Sequence, residues 1–168
     1  MRLANNFSFS LPWSSVRLLA LDFDGVMTDG FVYSDSTGEE MVRTSRRDSL
    51  GISLLKENGV LVAVFTREAH SVVQKRCEKL NIPCLSNIKD KMAALEEFSK
   101  TNNLDLSEVC FMGDDITDIA PMKKVGIAVA VGDADIKVKD VAHMITRGAG
   151  GFHAVREVCD IILKHKNV

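Results

Sequence analysis

The sequence lacks the features that would direct a chain to a membrane or a nucleic acid. No apolar run reaches the roughly 18 residues that a membrane span requires, and the first residues, MRLANNFSFSLPWSS, contain no continuous apolar core of a signal peptide. The 21 Lys and Arg residues are spread along the chain and are outnumbered by 23 Asp and Glu residues, so no basic stripe is present. We therefore expect a cytoplasmic protein with a small-molecule partner, and neither a nucleic acid nor a membrane as partner.

Closely spaced cysteines are also missing. The four cysteines, Cys77, Cys84, Cys110 and Cys159, form no pair with the spacing of metal ligands or of a redox motif. We expect them to be reduced thiols that serve as small apolar residues.

The chain has no repeats or low-complexity segments, and 168 residues suit one domain. Short apolar runs predict buried strands at residues 16–21, 60–65, 109–112, 127–131 and 144–145. Helical patterns alternate with them at residues 50–57, 69–80, 91–101, 116–124, 136–141 and 152–165. This alternation predicts an α/β fold, a Rossmann-like open parallel sheet with helices on both faces. We expect residues 1–15 to form an amino-terminal arm and residues 16–168 the single domain.

One segment departs from the alternation. Residues 30–45 contain two strand-like stretches, FVYS and EEMVRTS, around the turn-rich DSTG, and this pattern predicts a β-hairpin flap. No cap domain is inserted between the first two long strands. The flap or another subunit must therefore cover whatever site the sheet carries.

Polar side chains follow the predicted strands at the edge where an open parallel sheet has its ligand crevice. Carboxylates this close together repel one another and raise one another's pKa unless a cation lies among them. A set of oxygen ligands without His or Cys suits Mg²⁺. The residues concerned are Asp22, Asp24, Thr66, Lys91, Asp114, Asp115 and Asp118.

Phosphoryl transfer would use every one of these groups. A carboxylate can attack phosphorus, the cation and Lys91 can neutralise the equatorial oxygens, and Thr66 can donate a hydrogen bond to them. Each group alone has an ordinary explanation, since acidic pairs cap helices and helix lysines are usually solvated. Their common position past the strand ends favours a catalytic site.

The motifs DFDGV and GDDITD, with Thr66 and Lys91 between them, resemble the haloacid dehalogenase superfamily in the family's own order. The resemblance covers nearly the whole chain after the arm. It implies that Asp22 is the nucleophile and that Asp24 is the general acid and base. It also implies magnesium ligands from Asp22, the backbone carbonyl of Asp24 and Asp114, with Asp115 and Asp118 orienting the metal shell.

Further segments resemble the capless branch that acts on phosphorylated sugar acids in octulosonate and sialic acid biosynthesis. They are DGVMTDG, GEE, RRDSLGI, the strand that ends at Thr66, the DK at Asp90 and Lys91, GDDITDI and GGFHAVREV. This branch includes 3-deoxy-D-manno-octulosonate 8-phosphate phosphatases, related nine-carbon enzymes and the tail domain of some sialic acid activating enzymes. The resemblance implies a 2-keto-3-deoxy sugar acid phosphate as substrate and a homotetramer in which a neighbour closes the site.

Two departures bear on the substrate. The chain reads Thr66, Arg67, Glu68 where eight-carbon enzymes read TGR, and GGFHAVRE where they read GGRGAVRE. Glu68, with Lys79, resembles the nine-carbon branch. A carboxylate at this position could accept hydrogen bonds from sugar hydroxyls, whereas an arginine favours anions. We therefore favour a nine-carbon acid, with the eight-carbon acid as the alternative. Solvated helix residues are an equally good reading of these two positions.

The predicted substrate-binding residues are Thr28, Arg47, Asp48, Arg67, Glu68 and Lys79. A second reading of Asp48 is that it caps the helix that follows. A non-catalytic oligomerisation module is the remaining hypothesis for the whole chain. The sequence favours the enzyme, because a module would be free to lose the nucleophile, the general acid or the metal carboxylate.

Overall fold

The computed structural model describes residues 11–168, and the fold is built around one six-stranded parallel sheet. Its strands are β1 (Leu18–Leu21), β4 (Leu61–Phe65), β5 (Cys84–Leu85), β6 (Val109–Gly113), β7 (Ile127–Ala130) and β8 (Met144–Ile145). They lie in the order β5-β4-β1-β6-β7-β8. The predicted parallel sheet is confirmed, and β1 lies at its centre.

The central strands are buried because helices cover both faces of the sheet. Every residue of β1, β6 and β7 is buried, which explains their continuous apolar runs. The helices are α1 (Arg46–Glu57), α2 (Ser71–Leu80), α3 (Lys91–Thr101), α4 (Ile119–Met122), α5 (Ile136–Lys139) and α6 (Ala154–His165). None of the helices in residues 11–168 has the length and apolarity needed to cross a membrane.

Most differences from the predicted elements lie at their ends. Helix α1 begins four residues earlier than predicted, because Ser45 caps it by accepting from the N–H groups of Arg47 and Asp48, and its first turn is charged rather than apolar. The helix predicted at 116–124 is a 3₁₀ turn, Ile116–Asp118, followed by the short α4. Strand β5 was not predicted, because Cys84 and Leu85 lie between Pro83 and the turn-forming residues Ser86 and Asn87, a composition typical of a loop.

The flap is confirmed as a small hairpin. Strands β2 (Tyr33–Ser34) and β3 (Glu40–Met41) pair antiparallel, and a bridge between Thr28 and Thr44 closes the base. The turn is held by Asp35, whose side chain accepts from the N–H groups of Thr37 and Glu39.

Most of the predicted amino-terminal arm, residues 1–10, lies outside the described part of the chain. Its last residues form a 3₁₀ turn, Trp13–Ser15, in which Trp13 is buried. The Trp13 ring lies 6.4 Å from the ring of His165, and Lys166 Nζ donates to the carbonyl of Ser14. This turn therefore packs against the end of α6. Cys77, Cys110 and Cys159 are buried free thiols, and Cys84 is half-buried and free.

Candidate active site

Asp22 follows directly on the central strand β1 and is 7% exposed. Its N–H continues the sheet by donating to the carbonyl of Met112 at 3.0 Å, and its Oδ1 accepts from the N–H of Phe23 at 2.6 Å. These two hydrogen bonds, one to the neighbouring strand and one to the next residue of the chain, fix the carboxylate of Asp22 at the carboxyl edge of the sheet. Burial, together with the charges of Asp118 and Asp114, raises the pKa of Asp22 even though Lys91 opposes the shift.

Lys91 joins two of the carboxylates. It is the first residue of α3, which Asp90 caps by accepting from the N–H groups of Met92 and Ala93. Its ammonium lies 2.7 Å from Asp22 Oδ2 and 2.6 Å from Asp118 Oδ1, and the residue is 4% exposed. Burial alone would lower the pKa of Lys91, but the two carboxylates outweigh it and raise the pKa. The side chain therefore stays charged inside the site.

The loop after β6 holds a group of acidic side chains. Asp118 is fully buried, and its Oδ2 accepts from the N–H groups of Asp114 and Asp115 at 3.0 and 3.3 Å. Carboxylate oxygens of Asp22, Asp114 and Asp118 lie within 4.8 Å of one another. Asp114 Oδ1 is buried without a hydrogen-bond partner in the described part of the chain. These residues fit a hard divalent cation, since a cation would satisfy the orphaned oxygen and offset the repulsion.

The pKa of Asp114 also favours a cation site. Burial, followed by the charge of Asp118, raises the pKa of Asp114 to about 7. A carboxylate so disfavoured in its charged form is one that gains from a bound cation. Asp115 differs, because its side chain caps the 3₁₀ turn by accepting from the N–H of Ile116 at 2.6 Å. It shapes the loop that carries Asp114.

Gly25 allows the first loop to approach the metal carboxylate. Its φ is +79°, and a Cβ built on it would lie 2.0 Å from Asp114 Oδ2. Any side chain at this position would strain the backbone and displace Asp114. The glycine of the DFDGV motif therefore lets the loop after β1 lie against Asp114.

Asp24 is held by the loop that carries Asp22. Thr28 Oγ1 donates to Asp24 Oδ1 at 3.5 Å and accepts from the N–H groups of Gly25 and Gly30. Burial, followed by the charge of Glu68, raises the pKa of Asp24, and the hydrogen bond from Thr28 opposes the shift. A carboxyl with a raised pKa is suited to donating a proton. Thr28 is itself fully buried, so within this chain it orients Asp24 rather than facing a ligand.

These groups open into one pocket of about 470 Å³. Thr66 follows β4 and is 2% exposed; its Oγ1 accepts from the N–H of Glu68, so its hydroxyl hydrogen stays available for a phosphate oxygen. Most of the predicted site is brought together here. The lining residues are Asp22, Asp24, Gly25, Gly30, Thr66, Arg67, Glu68, Lys91, Asp114, Asp115 and Thr117.

Four predicted substrate-binding residues do not line this pocket: Thr28, described above, and Arg47, Asp48 and Lys79. Arg47 is exposed in the first turn of α1. Asp48 is buried between α1 and α6, where its Oδ1 accepts from the N–H of Arg156 at 2.8 Å, so it caps α6. Lys79 lines a separate cavity. Within one chain, none of these residues therefore lies on the wall of the pocket that contains Asp22.

Two features of the site were missed. Thr117 lines the pocket, and its position inside GDDITD, between two acidic residues already singled out, was a usable signal. A second cavity of about 290 Å³ adjoins the pocket and shares Asp24, Gly30 and Glu68 with it. It also involves His70, which the sequence motifs do not point to. Only the packing of the flap against α2 reveals this cavity.

Comparison with known proteins agrees with this geometry. Residues 71–158 match the haloacid dehalogenase-like hydrolases. The 3-deoxy-D-manno-octulosonate 8-phosphate phosphatase of Yersinia pestis is 39% identical over 151 residues, which are 89% of this chain and 81% of that protein.

Solved structures are similar throughout the domain. The Moraxella catarrhalis 3-deoxy-D-manno-octulosonate 8-phosphate phosphatase, in complex with magnesium, phosphate and KDO, has a TM-score of 0.90 and 32% identity over 92% of this chain and 90% of that one. The cobalt-bound Haemophilus influenzae enzyme has a TM-score of 0.89 and 29% identity over 92% and 91%. The family resemblance of the motifs is thus confirmed: the chain belongs to the haloacid dehalogenase-like hydrolases, in the capless sugar-acid phosphatase branch, and is a phosphoric monoester hydrolase.

Proposed function

We propose that this enzyme hydrolyses the terminal phosphate ester of a 2-keto-3-deoxy sugar acid, with the eight-carbon octulosonate 8-phosphate as the first candidate. The observation that carries the proposal is the pocket in which Asp22, Asp24 and Lys91 meet. The relatives named above support the eight-carbon acid better than the nine-carbon acid that the sequence favours.

In the first half-reaction, a carboxylate oxygen of Asp22 forms a bond to phosphorus while the ester P–O bond breaks. Asp24 gives its proton to the departing alcohol oxygen, so the alcohol leaves neutral. Lys91 and the Thr66 hydroxyl bind the equatorial phosphate oxygens, on which negative charge is held. The product of this step is the free sugar acid and a phosphoryl group on Asp22.

In the second half-reaction, a water molecule attacks the phosphorus of the aspartyl-phosphate. Asp24, now ionised, takes a proton from that water, and the bond between Asp22 and phosphorus breaks to release inorganic phosphate. Mg²⁺, which Asp22, Asp114 and the carbonyl of Asp24 would hold, would neutralise charge on the phosphate oxygens. Asp118 keeps Asp114 and Lys91 in place through the hydrogen bonds described above.

A nine-carbon acid is the second candidate because of Glu68. This residue lines both the pocket and the adjoining cavity, where its carboxylate is placed to accept from sugar hydroxyls. Changing Glu68 to Arg should lower kcat/KM for the nine-carbon substrate relative to the eight-carbon one. An unchanged ratio would remove the support for the longer acid.

We also propose a homotetramer in which a neighbour closes the site. The flap exposes Phe31, Tyr33 and Met41 at 65–73%, a cluster suited to burial against another chain. Lys79 lies in a cavity of about 540 Å³ with Arg43, Arg46 and Arg76, and such a basic surface would suit the carboxylate of a sugar acid bound in a neighbour. Light scattering decides the state, and a fully active monomer would refute closure by a neighbour.

The decisive experiment is a panel of phosphorylated eight- and nine-carbon sugar acids and neutral sugar phosphates, assayed with Mg²⁺ and with a chelator. We expect the highest kcat/KM on a sugar acid and loss of activity in the chelator. Asp22→Asn should abolish turnover while preserving the fold, because an amide keeps the shape but cannot attack phosphorus. Turnover of this variant within tenfold of wild type would overturn the nucleophile assignment.

A further inference from the structure

The cavity beside the pocket lies between the flap and the start of α2. We call it the flap cavity; residues from the flap, from the loop that carries Asp24 and from the start of α2 line it, and its volume is about 290 Å³. It meets the main pocket at Asp24, Gly30 and Glu68. Because Asp24 is the group that faces the departing oxygen in the proposed reaction, carbons attached to that oxygen have direct access to the flap cavity.

The lining of the flap cavity is chemically one-sided. Three carboxylates, Asp24, Glu40 and Glu68, supply hydrogen-bond acceptors, and valines including Val32 and Val42 supply apolar wall. None of its lining residues is Lys or Arg. Such a surface accepts hydrogen bonds from hydroxyl groups and packs against C–H bonds, whereas an anionic group would meet three carboxylates with only His70 beside them.

The flap is fastened to the body of the protein at two places. On one side, Arg43 pairs with Asp29 at 2.9 Å and lies over the ring of Phe152 at 4.3 Å. On the other side, His70 Nε2 lies 3.3 Å from Glu40 Oε2, which links β3 to the residue that precedes α2. Both members of this second pair also line the flap cavity. A hairpin with two-residue strands has little internal rigidity, so these contacts set its distance from α2.

We propose that the flap cavity receives the hydroxyl-bearing carbons next to the phosphate ester, and that the Glu40–His70 pair is a positioning pair that sets its width. The inference rests on the proposed function. It assigns an orientation to the substrate, since the carboxylate of the sugar acid must lie outside this cavity. It also gives His70 and Glu40 a part in selecting the leaving group.

The test measures kcat and KM of His70→Ala, Glu40→Gln and the double variant on two substrates. One is the best sugar phosphate of the panel above, and the other is p-nitrophenyl phosphate, which has no hydroxylated chain. A misplaced flap should lower kcat/KM on the sugar phosphate by about 10- to 100-fold, mainly through KM, because remote positioning has effects of this size. The aryl ester should change by less than about threefold, because the groups at phosphorus are untouched.

The matched control is Glu78→Gln, which removes an exposed pair with Lys75 on α2, away from the cavity. It should leave both substrates unchanged. The double variant should resemble the single variants, since each breaks the same contact. Equal losses on both substrates, or changes within twofold on the sugar phosphate, would overturn the inference. A wild-type enzyme that prefers a neutral sugar phosphate would instead refute the proposed sugar-acid substrate, while the comparison of variants would still decide the role of the pair.

Discussion

Replacing Lys91 by Met should destabilise the metal-free protein strongly. The substitution keeps an unbranched side chain as far as Cε and removes the ammonium that lies 2.7 Å from Asp22 and 2.6 Å from Asp118. The two carboxylates are 9% and 0% exposed, so water replaces little of the lost interaction. Removing one member of a buried ion pair costs about 3–5 kcal/mol. For a chain of this size, that cost corresponds to a fall in Tm of about 6–20 °C.

Thermal unfolding followed by circular dichroism in a chelator measures this effect. Added Mg²⁺ should narrow the difference between variant and wild type, because the cation binds the same carboxylates and offsets their repulsion. The control is Lys75→Met, which removes an exposed pair with Glu78 and should cost less than about 1 kcal/mol. A Tm of Lys91→Met within about 2 °C of wild type in the chelator would refute the reasoning.

Two further changes test parts of the site, and a third tests the contact between α1 and α6. Gly25→Ala should weaken Mg²⁺ binding at least about tenfold in calorimetry, because its Cβ displaces Asp114; unchanged affinity would contradict this. Thr66→Val should lower kcat by about 10- to 1,000-fold through loss of the hydroxyl, and Thr66→Ser should restore it; equal activity of both variants would contradict a hydroxyl role. Burial raises the pKa of Asp48 in the folded protein. The protonated carboxyl therefore stabilises the fold at low pH, and this contribution to the free energy of unfolding is lost as the pH rises through the pKa that Asp48 has in the folded protein. Asp48→Asn keeps an acceptor for the N–H of Arg156 but does not ionise, so the Tm of the variant minus that of wild type should increase as the pH rises from about 4 to about 7. A Tm difference that does not change with pH would contradict this.

The sequence predicted the catalytic edge because its signals are local. Asp22 and Thr66 each follow a short apolar run that predicts a buried strand, and parallel strands bring their carboxyl ends to one edge. Asp114 and Lys91 needed the family motif as well, since acidic turns and helix lysines are common.

Residues on helices were predicted less well, because their direction depends on how the helices pack. Asp48 and Lys79 are charged and close in sequence to the site, but α1 turns Asp48 toward α6, and α2 carries Lys79 to a different cavity. The contact between His70 and Glu40 joins segments 30 residues apart in a region without periodicity, so no spacing pattern could reveal it. The αL conformation of His153, where φ is +76°, likewise shows no trace in the sequence.

The strand that precedes the nucleophile and the strands of the flap differ widely in local stability. β1 is hydrogen-bonded on both sides by β4 and β6, so the amides around Asp22 exchange with solvent only when the whole sheet opens. The flap strands are short and largely exposed, so they open at little cost in free energy. Substitutions on the flap can therefore change which esters the enzyme accepts without lowering the free energy of unfolding of the sheet that carries the catalytic residues.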